Sequence, residues 1–297
     1  MKYVITGGAG NISKPLTEKL LKAGHDVTVI SRNMENIRSL MGLGAKPAIG
    51  SVNDIAFLIK TFTGADALYT MVPPNYATND MKASIAEVGK NYTEALKATT
   101  VKYVVNLSSV GAHLPDGAGP VSGLYRVEQA MNELKNINIK HLRPTYFYGN
   151  FLGNIAMVKN MNIIGGNFGG TGFKLLLSDT NDIADVAFEE LSTLNFTGHS
   201  FRYIGSDERS TDDIAKVLGD AVGKPQLPWI IFSDENAFAG MVEMRVPENV
   251  AKNYVEMGHA VHTGILFEDY WKNHPAKLGK TKLEEFAKTF AAVYNSN

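Results

Sequence analysis

Six short apolar runs, separated by stretches of helical periodicity, fill the first 144 residues of the chain. "KYVIT", "HDVTVIS", "KPAIG", "ADALYTMV", "KYVVNLSS" and "IKHLRP" read as strands. "PLTEKLLKAG", "MENIRSLMGLG", "DIAFLIKTFTG", "NDMKASIAEVGKNYTEALKAT" and "LYRVEQAMNELKN" read as the helices between them. Continuous apolar runs suit strands covered on both faces, and the alternation makes crossover units. The pattern predicts an α/β fold, a doubly wound parallel sheet with helices on both faces.

After Pro144 the rhythm changes. "NIIGGNFGGTGF" has no periodicity and five glycines, which predicts a mobile flap or an excursion from the sheet. "NDIADVAFEELSTL" reads as a helix capped near Asn181 or Asp182, and "HSFRYIG" as a strand; both can return to the main sheet. The remainder is mostly helical. At 297 residues the chain exceeds the usual single core. The expected layout is a nucleotide-binding domain over residues 1–150, completed by about residues 176–205. Residues 151–175 and 206–297 would then form a smaller, mostly helical domain for a substrate or partner.

Composition narrows the function classes. A net charge of −1 leaves no electrostatic footprint for nucleic acid or an anionic membrane. The absence of cysteine excludes disulfides, thiolate metal sites and a cysteine nucleophile. No apolar run approaches the roughly 18 residues of a membrane span. A strand starting at Lys2 or Tyr3 leaves no room for a signal peptide, so a cytoplasmic location is expected.

The first strand runs directly into "TGGAGNIS" and then a helix. In a dinucleotide-binding turn the first glycine makes the bend, the second admits pyrophosphate, and the third lets helix and strand pack closely. Gly7 and Gly10 fill the first two roles, whereas Ser13 stands in the third. That third role is steric, serine is nearly the smallest substitute, and its hydroxyl can bond a carbonyl of the preceding turn. The turn is therefore varied rather than abolished, and the helix N-terminus can still face a phosphate. At the end of the second strand NAD sites place a carboxylate for the ribose. Here "ISRN" puts Ser31 at that position with Arg32 after it, and an arginine fork suits the 2′-phosphate of NADP(H). NADP(H) is favoured over NAD(H).

The stretch "TGGAGNISKPLTEKLLKAGHDVTVISRN" resembles the opening of NmrA-like proteins, an atypical branch of the short-chain dehydrogenase/reductase superfamily. "GADALYTMVPP", "VVNLSSVGAH", "HLRPTYFYGN", "SDTNDIADVA" and "KLEEFAKTF" extend the likeness along the chain. The resemblance implies a Rossmann domain, a small C-terminal domain and a cleft for NADP(H) between them. It further implies either an NAD(P)H-dependent quinone or dye reductase, with a small-molecule acceptor in that cleft, or a non-catalytic redox sensor with a protein partner. Carried over by position, Gly7, Gly10, Asn11 and Ile12 match the pyrophosphate turn and Arg32 the phosphate-selecting site. Val52 matches the adenine cover, although Ser51 replaces the usual aspartate. Met71, Val72 and Pro73 match the loop beside the nicotinamide ribose. Tyr146 and Phe147 match the loop near the nicotinamide, with Asn150 towards the substrate.

The acid/base signature is altered. Related dehydrogenases pair a tyrosine with a lysine four residues later on one helix face, and the ammonium lowers the phenol pKa. Here Tyr125 has the spacing, but the neutral Gln129 cannot supply the charge. Ser109, after Ser108, is the candidate serine partner, although Val110 occupies the position often used. Alcohol oxidation is disfavoured; an electron-poor acceptor such as a quinone demands less acid assistance. His259 and His262 in "HAVH" lack a nearby acidic partner in sequence and read as ordinary surface or core histidines, with no metal site expected. "FAGMVEMRV" reads as core or as the wall of an apolar pocket.

Overall fold

The computed structural model describes residues 1–296. Each apolar run named above forms a strand: β1 (Lys2–Ile5), β2 (Asp26–Ser31), β3 (Lys46–Ile49), β4 (Ala67–Thr70), β5 (Tyr103–Leu107) and β6 (Asn138–Pro144). Between them run α1 (Ser13–Lys22), α2 (Arg38–Gly42), α3 (Ile55–Phe62), α4 (Met81–Lys97) and α5 (Pro120–Asn132). Beyond β6 come β7 (Tyr146–Phe147), α6 (Ile155–Asn160), β8 (Ile164–Gly166), β9 (Leu175–Ser178), α7 (Thr180–Thr193) and β10 (His199–Ile204). The chain ends with β11 (Asp207–Arg209), α8 (Thr211–Ala221), β12 (Trp229–Ile231), α9 (Asp234–Glu243), α10 (Glu248–His262), α11 (Glu268–Lys272) and α12 (Leu283–Ser296).

The main sheet has seven parallel strands in the order β10-β6-β5-β4-β1-β2-β3. The period-2 alternation of each strand decides which helices it meets. Tyr3 and Ile5 of β1 and Val27 and Val29 of β2 pack with Leu16 and Leu20 of α1 and Ile183, Ala187 and Leu191 of α7. Val4, Ile30 and Leu68 point the other way, against Leu58 and Phe62 of α3, Tyr92 and Leu96 of α4, and Val127 and Met131 of α5. Helices α4 and α5 cross closely because Gly89 and Gly123 carry no side chain; a Cβ there would meet Val127 at 2.8 Å or Ile85 at 2.8 Å. A third core joins Tyr148, Phe151, Phe168, Leu175–Leu177, Ile214, Leu218, Val261, Tyr270 and Phe290, all beyond β6. The strand read at "HSFRYIG" does return, pairing parallel with β6.

Two local expectations need correction and one is narrowed. Helix α7 is capped by Asp179, whose side chain accepts from Asn181 N at 2.8 Å, two residues before the expected cap. The glycine-rich stretch takes the second of its two expected forms, an excursion from the main sheet, and is packed there. Gly165 and Gly166 pair with β12, Phe168 is buried, and a Cβ on Gly165 would lie 2.1 Å from the Ile230 carbonyl. These glycines permit close backbone approach. Third, "FAGMVEMRV" is not core: α9 has no buried residue, and Val242 and Met244 are exposed.

Candidate functional site: the strand-end crevice

The order of the sheet reverses between β1 and β4, so loops after those strands diverge and leave a crevice at their carboxyl ends. The glycine turn lies there. Gly7 adopts φ +90 and Gly8 φ +58, conformations that favour glycine, and Gly10 N donates to Gly7 O at 3.1 Å to close the bend. Gly8 N is anchored to Ile30 O of β2 at 3.0 Å. Ser13 is buried and its Oγ donates to Thr6 O at 2.8 Å, tying the first turn of α1 to the end of β1. A Cβ on Gly7 would meet Ser13 Oγ at 2.5 Å and Met71 Cγ at 3.0 Å. The serine thus fills the space that a third glycine would leave, and Gly7 makes room for it.

Helix α1 has no side-chain cap and no acidic residue in its first turn; Ile12 stands at its N-cap position. By contrast, α3, α4, α7, α8 and α9 are capped by Asp54, Asp80, Asp179, Ser210 and Ser233. The open amides and positive dipole end of α1, beside a glycine turn, fit a pyrophosphate. Asn11 is exposed at this end and Ile12 is buried beneath it. Ser31 is buried and donates to Asn33 O at 2.8 Å, which shapes the turn after β2. Arg32 is exposed, and among the described residues no carboxylate pairs with it. Its fork is available to an anion.

The neighbouring loops close in on this turn. Met71 N donates to Thr6 Oγ1 at 2.8 Å, and Tyr92 Oη donates to Met71 O at 2.7 Å, so the loop after β4 is fixed against the end of β1. Met71, Val72 and Pro73 are half-buried there. Ser51 Oγ accepts from Asn53 N at 3.1 Å, and Val52 beside it is half-buried with Asn91 Nδ2 donating to its carbonyl at 3.4 Å.

Residues 7–141 match the family described as NAD(P)H-binding. The stretch that runs from the glycine turn into the sixth strand is thus similar to an NAD(P)H-binding family. The NAD(P)H azoreductase of Xenophilus azovorans is 23% identical over 298 residues, covering 99% of both chains. Among solved structures, an NADPH-dependent quinone oxidoreductase from Escherichia coli, complexed with NADPH, superposes with a TM-score of 0.83 at 20% identity, over 97% of this chain and 99% of that one. The Citrobacter sp. triphenylmethane reductase superposes with a TM-score of 0.80 at 21% identity, over 98% and 100% of the two chains. At such identities the solved structures speak for the fold. All of these likenesses fit the NmrA-like resemblance.

The expected acid/base residues form no hydrogen-bonded constellation. Tyr125 is half-buried and Gln129 exposed, with no side-chain hydrogen bond from either among the described residues. Ser109 is half-buried and Ser108 is committed elsewhere, its Oγ donating to Glu128 Oε1 at 2.5 Å. Glu128 is itself held by Arg143, Nη2 to Oε2 at 2.6 Å and Nε to Oε1 at 3.0 Å, and both are buried. Arg143 continues to Asp269 Oδ2 at 3.2 Å, and Tyr203 donates to the same oxygen at 2.6 Å. This chain of polar groups satisfies buried charges and bolts β6 to α5 and α11.

After β6, Tyr146 and Phe147 form β7 instead of a plain loop, pairing with Leu177 and Ser178 of β9. Tyr146 packs against Phe151 and Phe168, with ring centroids 5.3 Å and 5.8 Å apart, and burial holds its phenol above the ordinary value. Asn150 is exposed on the following turn. His259 does have an acidic neighbour: its Nδ1 lies 2.9 Å from Asp234 Oδ2, which comes from 25 residues earlier. Among the described residues, however, no group of three or more His, Cys, Asp or Glu is placed to hold a metal. No described helix is long and apolar enough to cross a membrane. A concavity of about 900 Å3 lies along β10 and residues 273–279, on the outer edge of the sheet away from the glycine turn.

Two features escaped the sequence reading. His113, on the loop after β5, is half-buried with neither ring nitrogen bonded, and burial holds its pKa below the ordinary 6.5. Its place after β5 was the available signal. Tyr76 and Tyr254 meet across 178 residues of chain, which no local spacing could announce.

Proposed function

We propose that this protein is an NADPH-dependent reductase of planar, electron-poor acceptors such as quinones, of the NmrA-like type. The observation that carries the reading is the uncapped α1 N-terminus behind a glycine turn at the switch point, with a carboxylate-free Arg32 at the end of β2. Likeness to an azoreductase along 99% of both chains supports the reaction class. In this reading the amides around Gly10–Ser13 hold the pyrophosphate and Arg32 selects the 2′-phosphate. Val52 lies against the adenine. Met71, Val72 and Pro73 flank the ribose, while Tyr146 and Phe147 flank the nicotinamide, and Asn150 faces the substrate. The bound reduced nicotinamide supplies a hydride equivalent. The protein's own contribution is to hold acceptor and cofactor in near-attack geometry and exclude water between them. Tyr125, with Gln129 in place of lysine, orients rather than acts as a strongly tuned acid.

Steady-state NADPH consumption with a panel of quinones and azo dyes tests this reading. Turnover with at least one quinone is the expected result. Tight NADPH binding with no turnover on any acceptor would instead favour a redox sensor working through a protein partner.

A further inference from the structure

Three phenols from separate elements stand around the carboxyl ends of the strands, and two of them meet. Tyr76 is on the loop after β4 and half exposed, Tyr146 opens β7 immediately after β6, and Tyr254 is half-buried on α10. Tyr254 Oη donates to Tyr76 Oη over a long 3.5 Å. Burial first, and then Tyr76 and Tyr146, raise the Tyr254 phenol above its ordinary value. The Tyr146 phenol is likewise raised by burial, so both it and Tyr254 stay protonated near neutrality. Among the described residues no acceptor bonds the Tyr76 or Tyr146 hydroxyl proton. Two phenols thus present donors that the protein does not use.

The tyrosines are also held in place. Asn249 Oδ1, at the start of α10, accepts from Met81 N of α4 at 3.0 Å. Lys82 Nζ of α4 donates to Glu256 Oε1 of α10 at 2.8 Å and to Asp116 Oδ1 at 2.6 Å. Gly119 lies so close beneath α10 that a Cβ would come 2.0 Å from the Asn253 carbonyl. Tyr254 is thereby fixed over the loop that carries Tyr76, while Tyr146 is backed by Phe151 and Phe168.

We propose that Tyr76, Tyr146 and Tyr254 form the acceptor subsite, packing on a planar aromatic ring and donating phenolic hydrogen bonds to a carbonyl oxygen or azo nitrogen in its plane. This rests on the reductase reading and deepens it. Aromatic faces suit planar rings, and donors aimed at the heteroatom favour the charge that develops there on reduction. The raised phenol of Tyr146 donates without ionising.

The test uses the full chain loaded with NADP+, so that the ligand is not consumed, and titrates it with 2-methyl-1,4-naphthoquinone by calorimetry. Tyr76→Phe should weaken quinone binding about five- to tenfold, the loss of one hydrogen bond, and Tyr254→Phe, which removes the phenol that orients Tyr76, about three- to fivefold. 2-Methylnaphthalene, which has the same outline but no carbonyl, should bind wild type and variants alike. Unchanged NADP+ affinity and thermal midpoint show that the variants fold. Quinone affinities in both variants within about twofold of wild type overturn the subsite while leaving the reductase reading in place. A wild type that binds NADP+ but no quinone overturns both.

Discussion

Replacing Gly7 by alanine tests the geometry on which the nucleotide site rests. The residue sits at φ +90, where a side chain costs about 1–2 kcal/mol. The new Cβ would lie 2.5 Å from Ser13 Oγ and 3.0 Å from Met71 Cγ. Relieving the first contact means moving Ser13 off its 2.8 Å bond to Thr6 O, a further loss of about 1 kcal/mol. Gly7→Ala should therefore destabilise the protein by about 2–3 kcal/mol, measured by urea unfolding followed by circular dichroism. Ser13→Gly alone should cost about 1–2 kcal/mol, because it leaves the buried Thr6 carbonyl short of a donor. In the double variant the Oγ is gone and the added methyl has room. The two losses should then fall short of their sum by about 1 kcal/mol. Additivity to within about 0.5 kcal/mol would refute the claim that Ser13 occupies the space of the third glycine.

Three further outcomes follow from the same structure. Arg32→Ala should weaken NADPH binding roughly ten- to a hundredfold and leave NADH binding nearly unaffected, by calorimetric titration; equal wild-type affinity for the two nucleotides would contradict the assignment. Tyr125→Phe should lower quinone turnover about tenfold, and a loss in the range of about 10²–10⁴ would restore an acid role to the phenol. Burial pushes His141 down to about 4 from 6.5, while Asn106 and Asn132 hold its ring in place. Above pH 6.5 both folded and unfolded forms are neutral and its contribution is fully present. Below that value the unfolded chain takes up a proton that the folded one refuses, so stability falls by about 3 kcal/mol on descending to about pH 4. Urea unfolding across that window should show the fall in wild type and lose this component in His141→Gln.

The doubly wound sheet was legible because its signals are local. Val4, Ile30 and Leu68 alternate with Tyr3, Val29 and Tyr69 in short runs, and each run ends at a glycine, a proline or a polar cap. The glycine turn was legible for the same reason: Gly7, Gly10 and Ser13 lie within seven residues, and the bend depends on backbone geometry. Longer-range packing was not. Gly165 and Gly169 look like flexibility in composition, yet the structure uses them because Ile230 and Trp229, 60 or more residues on, approach too closely for a side chain. The partner of His259 lies on another helix, and Tyr76 meets Tyr254 only after the C-terminal helices fold back over the β4 loop. Spacing carries no record of such meetings. The Tyr125–Gln129 pair shows the reverse case: a local pattern was present, but neither side chain is drawn into a hydrogen-bonded site.

The most direct test of the account is a single turnover. Protein loaded with one equivalent of NADPH is mixed rapidly with 2-methyl-1,4-naphthoquinone, and the reduced-nicotinamide absorbance is followed. The account predicts loss of that absorbance with formation of the quinol, slowed when the transferred hydrogen of NADPH is deuterium. An NADPH complex that persists unchanged with this quinone and with azo dyes alike would contradict it.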